Sequence, residues 1–465
     1  MRSVWVDVLA EGRASRLALI CLGVWLNAAD SLVSATIMPT VAAQLGGYAY
    51  FSWATAGFLV GAIVAGASAG RLSERYGLRA AIAFSGLVFT FGCIVSAMAP
   101  GIVVFLSGRL VQGIGSGWIA GFAMVAVAAS FPHQHLPRVF ACVSGVWGIA
   151  TVLGPLVGGL FAQHHNWRGV FWLFAAQGGA FSAVAFALLK GPPTNSTQGI
   201  PWRQLAVLGA GICAFAAADL YHAPLTSALL LLAGFAALKL VLQIDARAST
   251  RLLPHRAGQV TSVCGAAYAS MFALTAASMG FLVYMPAILQ VTRGLSPLWA
   301  GYVVGAEALA WTLAAFVVSG TSLRTENGWI RVGAICIVAA MALLTVVTHS
   351  ADLPLIVAGA VLLGAGFGFS SSLMNRRVIT SLGPAERAIG SSALIAVRQT
   401  GGAIGAAIAG VAANLAGLAS GATPATAQAA SVWVFAAGVP LALGGLWAAV
   451  LLTRPRAATL APSAR

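Results

Sequence analysis

The chain has 465 residues, of which 60% are hydrophobic and 8% charged, with a mean hydropathy of +0.92. So few charges leave too much apolar surface to be covered in water, which excludes a cytosolic enzyme, a secreted module and a disordered chain. The formal net charge of +15 invites a nucleic-acid partner, but the basic residues sit in short gaps between apolar runs, where a protein places charge to orient itself in a lipid bilayer.

The runs are long and unbroken, as in membrane-spanning helices and unlike the short alternating segments of a β-barrel. Arg2, Arg13 and Arg16 precede the first run, which continues to about residue 39 without a cleavage site and reads as a retained helix. In order the fourteen expected spans are about 17–39, 49–70, 79–98, 102–130, 138–162, 168–189, 204–221, 225–242, 261–290, 297–319, 330–347, 354–375, 388–414 and 431–452. With the N-terminus in the cytoplasm, only Arg168 and Arg293 of the 25 basic residues fall outside, and Arg109 and Arg398 lie within spans. All others fall inside, an alternation that a missed helix would scramble, so both termini are expected in the cytoplasm. The gaps 190–203 and 243–260 read as surface linkers.

Three segments of the first half carry specific patterns. The gap after helix 2 reads Gly70-Arg71-Leu72-Ser73-Glu74-Arg75-Tyr76-Gly77-Leu78-Arg79. This is a tight turn in which one acid among arginines can clamp neighbouring helix ends. Helix 4 contains Arg109-Leu110-Val111-Gln112-Gly113. The arginine lies roughly 12 Å deep, where a bare charge is costly and calls for a partner, in a transport network or as a tie between helices 1 and 4. Helix 5 contains Gly154-Pro155-Leu156-Val157-Gly158-Gly159, in which proline removes a backbone hydrogen bond and the glycines admit a close neighbour. Together these segments resemble the major facilitator superfamily, and within it the fourteen-helix drug/proton antiporters.

The resemblance implies an all-α membrane protein of two six-helix bundles plus two inserted helices. It divides the chain into a first bundle over 1–190, a linker with the inserted pair over 191–260, and a second bundle over 261–465. It makes Gly70, Glu74, Arg75, Gly77 and Arg79 a cytoplasmic gate that latches the halves together. It also makes Gly154, Pro155, Gly158 and Gly159 the mark of an exporter working by antiport. Glu74 and Leu78 depart from the family's usual aspartate and basic residue.

Two acids fall well inside spans. Asp30 lies roughly 20 Å up helix 1, with Asn27 and Ser34 as helical neighbours on a polar stripe. A carboxyl inside the bilayer that exchanges a proton is a natural carrier, and Asp30 stands nine residues before Pro39, as in the family's first-helix signature. Glu307 in helix 10 is either a second proton or cation site or the ion-pair partner of Arg398, which begins Arg398-Gln399-Thr400-Gly401-Gly402 in helix 13. That stretch resembles an arginine-glutamine-glycine-glycine pattern of the same branch. Asp30, Arg109, Glu307 and Arg398 are thus the expected proton-coupling and transport residues. Asn27, Gln112, Trp118, Tyr284 and Trp311 are candidate cavity contacts.

The six cysteines all lie in apolar runs and read as small buried hydrophobes. The His133/His135 and His164/His165 pairs fall on opposite faces and read as interfacial, so no metal site is expected. Neither a nucleotide-binding loop nor a hydrolase motif appears, so neither enzymatic activity nor a cofactor is expected beyond the proton motive force. The expected function is proton-coupled export of small apolar or amphipathic compounds, as in multidrug efflux, by a monomer in the bacterial inner membrane. Its expected partners are a small-molecule substrate and the lipid bilayer. A dedicated exporter of one metabolite and a non-transporting sensor are the alternatives.

Overall fold

The computed structural model describes residues 12–45, 51–164, 166–189, 199–218, 223–295, 297–322, 324–350, 352–418 and 423–454. They form fourteen α-helices and, among the described residues, no strand. In the first half these are α1 (Arg13–Leu45), α2 (Phe51–Tyr76), α3 (Leu78–Ala97), α4 (Ile102–Ser130), α5 (Leu136–Gln163) and α6 (Trp167–Leu188). A pair follows, α7 (Trp202–Ala218) and α8 (Pro224–Arg247). The second half holds α9 (Val263–Arg293), α10 (Pro297–Val318), α11 (Glu326–Ser350), α12 (Leu353–Ser381), α13 (Arg387–Leu415) and α14 (Pro424–Thr453). Fourteen helices thus stand where fourteen spans were expected. Judged on the described residues, twelve are long and apolar enough to cross a membrane, and the other two are α2 and the 17-residue α7.

Local chemistry sets the helix ends. The Asn166, Ser262 and Asp352 side chains accept the backbone N–H three residues on and so start α6, α9 and α12. A reciprocal Thr423/Thr426 capping box followed by Pro424 starts α14. Gly294, in the left-handed region at φ 61°, stops α9. At one end of the first half Phe105, Trp167 and Phe171 meet edge to face, and the Trp167 indole donates to Gln44 Oε1 at 2.7 Å.

Helices α1–α6 pack among themselves, as do α9–α14. The α7/α8 pair leans on α2 and α13. The halves meet along two seams, α13 against α2 and α4, and α5 against α10 and α12. Each half contains a backbone-to-backbone crossing of the same kind. In the first, Gly113 and Gly117 of α4 leave no room for a Cβ against the Phe58 and Ala62 carbonyls of α2. In the second, Gly364 and Gly368 of α12 sit the same way against the Glu307 and Trp311 carbonyls of α10. Small residues four apart let helices approach this closely without a hydrophobic driving force between them. Large apolar side chains such as Leu232 on α8, Val317 on α10 and Trp447 on α14 point outward, which suits lipid as solvent.

Candidate functional site

The polar core of the first half is a seam between α1 and α4. Asn27, Asp30 and Ser34 share one face of α1 by helical spacing, and Arg109, Gln112 and Ser116 share one face of α4. Asp30 is fully buried and Arg109 is 3% exposed. Arg109 Nη1 lies 3.1 Å from each Asp30 carboxylate oxygen and donates to Gln112 Oε1 at 2.8 Å. Gln112 Nε2 donates to Asp30 Oδ1 at 2.7 Å, and Ser34 Oγ donates to the same oxygen at 3.2 Å. The guanidinium lies 4.6 Å from the centroid of the Phe58 ring. One layer away the Asn27 amide donates to Ser116 Oγ. A buried carboxylate is therefore held by one charged and two neutral donors from two helices.

This geometry revises two expectations. Gln112 is fully buried inside the Asp30–Arg109 network, so it positions the pair instead of lining a cavity, and Asn27 belongs to the same seam. Trp118 is half-buried on α4, on the side that meets α2 and α3. Its indole donates to Ser68 at 2.8 Å and its ring meets the outward-facing Phe84. Tyr284 packs beside the small α13/α14 cluster of Ala409, Ala413, Ala430 and Val434.

The second half carries the other two interior charges, and they do not meet. Glu307 has no ion-pair or hydrogen-bond partner among the described residues. Arg398 lies 5.6 Å from the centroid of the Trp311 ring, one helical turn beyond Glu307, and makes no ion pair. Of the two readings open for Glu307, the structure does not form the pair with Arg398.

The gate residues occupy the end that carries most of the basic residues. Gly70 is buried against α13, where a Cβ would stand 2.7 Å from Ile389 Cα and from Ser392 Oγ. Gly77 starts α3 with φ 77°, a conformation L side chains rarely adopt. Glu74 pairs with Arg71 at 3.1 Å. Burial raises the Glu74 carboxyl and the Arg71 guanidinium opposes that shift. Arg79 donates to the Phe186 carbonyl at the end of α6 at 2.9 Å and lies 4.1 Å from the Phe186 ring centroid, while Arg75 is exposed beside Tyr76. On α5, a Cβ at Gly154 would stand 2.7 Å from Leu32 Cβ of α1, so the first motif glycine is a close α1/α5 crossing. Gly158 is buried in α5. Of Pro155 and Gly159 only the place in α5 is described.

Sequence reasoning missed three arrangements on the same face. Glu326, 1% exposed at the start of α11, pairs with both Arg376 and Arg377 of α12, and Arg377 also donates to Asn327 and to the Leu452 carbonyl of α14. Arg331 closes this clamp on Thr453 at 2.7 Å. The segment 248–262 is not a loose linker. Asp245 accepts the Leu252 and Leu253 N–H groups at 2.6 and 3.1 Å, Arg71 Nε donates to the Arg251 carbonyl at 2.8 Å, and Glu386 accepts the His255 N–H at 2.6 Å. The available signal was the scarcity of acids: with ten in the whole chain, each one on an otherwise basic face was a candidate clamp.

The comparisons with known proteins agree with this architecture. The sequence profile of the Major Facilitator Superfamily matches residues 20–406. A protein of Mycobacterium tuberculosis named as a probable multidrug-efflux transporter is 30% identical over 431 residues, covering 89% of this chain and 90% of that protein. An aspyridones efflux protein of Neocamarosporium betae is 27% identical over 323 residues, covering 65% of this chain and 56% of its own. Among solved structures, a human organic anion transporter superposes with a TM-score of 0.67 at 16% identity, over 93% of this chain and 99% of that one. A proton:xylose symporter superposes with a TM-score of 0.64 at 15% identity, over 92% and 94%.

Proposed function

The chain belongs to the major facilitator superfamily of membrane transporters, and from that premise we propose that it is a proton-coupled exporter of small apolar or amphipathic compounds. The observation that carries the coupling is the buried Asp30–Arg109–Gln112 network between α1 and α4. A proton entering from outside neutralises Asp30, and Arg109 loses its counter-charge. The α1/α4 seam then favours a different arrangement of the halves. Return of Arg109 to the carboxylate expels the proton on the inner side and resets the cycle. Glu307, an interior carboxyl with no fixed partner, serves as a second proton site.

The gate at Gly70, Glu74, Arg75, Gly77 and Arg79 closes the cytoplasmic face in the state described, through the Gly70–Ile389 crossing. The Gly154–Gly158 stretch keeps α5 tight against α1 while the halves rock. The proton motive force drives the cycle without a cofactor, and the protein works as a monomer in a bacterial inner membrane with both termini inside. The name borne by the mycobacterial relative supports breadth of cargo.

Inverted vesicles holding a proton gradient, followed with a pH-sensitive dye, test this reading. Addition of several unrelated amphipathic drugs is expected to release protons. Release by a single metabolite alone would make the protein a dedicated exporter. Asp30→Asn is expected to cut cargo-dependent proton release at least tenfold while the protein still inserts; unchanged coupling in that variant would remove Asp30 from the mechanism.

A further inference from the structure

The second half contains a positive charge that the coupling network leaves unused. Arg398 stays protonated in any protein environment, and a guanidinium in a bilayer interior is costly unless something answers it. Arg109 is answered by Asp30 and Gln112. Among the described residues Arg398 is answered by the Trp311 ring alone, which is stacked on Phe367 with centroids 4.7 Å apart and planes 13° from parallel. Among the described residues no acid pairs with it, and Glu307 has no partner either.

Beside Arg398 lies a narrow pocket between α9, α12 and α13. Its wall is apolar and soft, with Met271, Phe367 and Met374, and contains no acid. Thr275 and Ser371 also line it, and neither side-chain hydroxyl is committed to a hydrogen bond among the described residues. A fixed cation, two available hydroxyls and an aromatic floor over a thioether wall match one ligand chemistry: an anionic head on a compact apolar or aromatic body.

We propose that this pocket is a cargo subsite in which Arg398 recognises a carboxylate or sulfonate while Phe367, backed by Trp311, and the methionines take the apolar body. The cargo class follows: amphipathic organic anions bind in preference to neutral or cationic molecules of the same shape. This rests on the reading of the protein as an exporter of small amphipathic compounds, whose substrate it narrows. Thr275 and Ser371 are positioned to donate to the same head group.

The test is calorimetric binding to the full chain in phosphatidylcholine nanodiscs, with empty nanodiscs as the reference. Three probes share one ring system and differ in charge: naphthalene-2-sulfonate, 2-naphthylmethanol and 2-naphthylmethylammonium. The sulfonate is expected to bind at least tenfold more tightly than the other two. Arg398→Gln should bring it down to the level of the alcohol, whose own binding stays unchanged and reports an intact pocket, and Arg398→Lys should keep part of the preference. Should Arg398→Gln fail to fold, the double variant Thr275→Val/Ser371→Ala reads the same head group and should weaken the sulfonate several-fold. Equal binding of the three probes, or a sulfonate preference that survives Arg398→Gln, overturns the proposal. Arg398-dependent displacement of the sulfonate by phosphatidylglycerol nanodiscs would assign the site to lipid head groups and overturn it as a cargo site. Since binding is read without a proton gradient, failed export with intact anion preference would count against the exporter reading alone.

Discussion

The two halves of the molecule share one scaffold and use charge in opposite ways. Both contain a glycine pair four residues apart at a close crossing, Gly113/Gly117 of α4 against α2 and Gly364/Gly368 of α12 against α10. The carbonyl that Gly113 meets belongs to Phe58, the ring beneath Arg109; the one that Gly364 meets belongs to Glu307. In the first half the interior acid and base are locked together. In the second, Glu307 and Arg398 stay apart. At the basic face the roles reverse: the second half closes on the buried Glu326–Arg376–Arg377 clamp, and the first on a bare glycine crossing and Arg71. Similar glycine crossings fix where helices touch in each half, and the placement of a few charges is what sets the halves apart.

The largest expected effect follows from that difference in pairing. Arg109→Leu strands a buried carboxylate and should cost about 3–5 kcal/mol, seen as a marked drop in the thermal unfolding midpoint in detergent. Arg398→Leu removes a charge that has no counter-ion and should leave the midpoint unchanged or raise it. The double variant Asp30→Asn/Arg109→Gln should lose about 1–3 kcal/mol less than its two single changes added together. Equal losses for Arg109→Leu and Arg398→Leu would erase the contrast between the halves.

A smaller effect is expected where the halves cross. Gly70→Val adds three carbons where even one would press on Ile389 and Ser392, so α2 and α13 must separate at the basic end. Spin labels at Arg75 and Thr380, one on each half, should report distances longer by several ångströms in a background without the native cysteines. An unchanged distance distribution would show that Gly70 is not where this end closes.

Much of this was legible before any coordinates. The fourteen helices follow from apolar length and the alternation of charge, because lipid forces the backbone to satisfy itself within each helix. Asp30 and Arg109 stand out as charges where charge is expensive. Which face of α4 looks at which neighbour was not legible, because helical spacing groups Gln112 with Arg109 and says nothing of what lies opposite. Gln112, expected at a cavity, instead completes the buried pair. The Glu326 clamp joins α11 to the far end of α12 and the 248–262 segment reaches α2 and α13, and no periodic pattern within one helix records which residues of another it meets.

That segment supplies the smallest effect and the finest probe of the first half's closure. Asp245 holds two consecutive amides, Leu252 and Leu253, and the residues on either side reach the bundle, Arg251 through Arg71 and His255 through Glu386. Asp245→Ala leaves both amides without their acceptor, a cost of about 1–3 kcal/mol if water does not replace it. Because α8 is otherwise untouched, that cost should appear as local opening and not as global unfolding. Hydrogen exchange at Leu252 and Leu253 should quicken by about tenfold or more, a 1.4 kcal/mol step per decade, while the amides of α4 around Gln112 keep their protection. If exchange quickens at α2 around Arg71 as well, the segment is part of the latch that holds the basic face shut. If it quickens only at 252–253, the closure belongs to the Gly70 crossing alone.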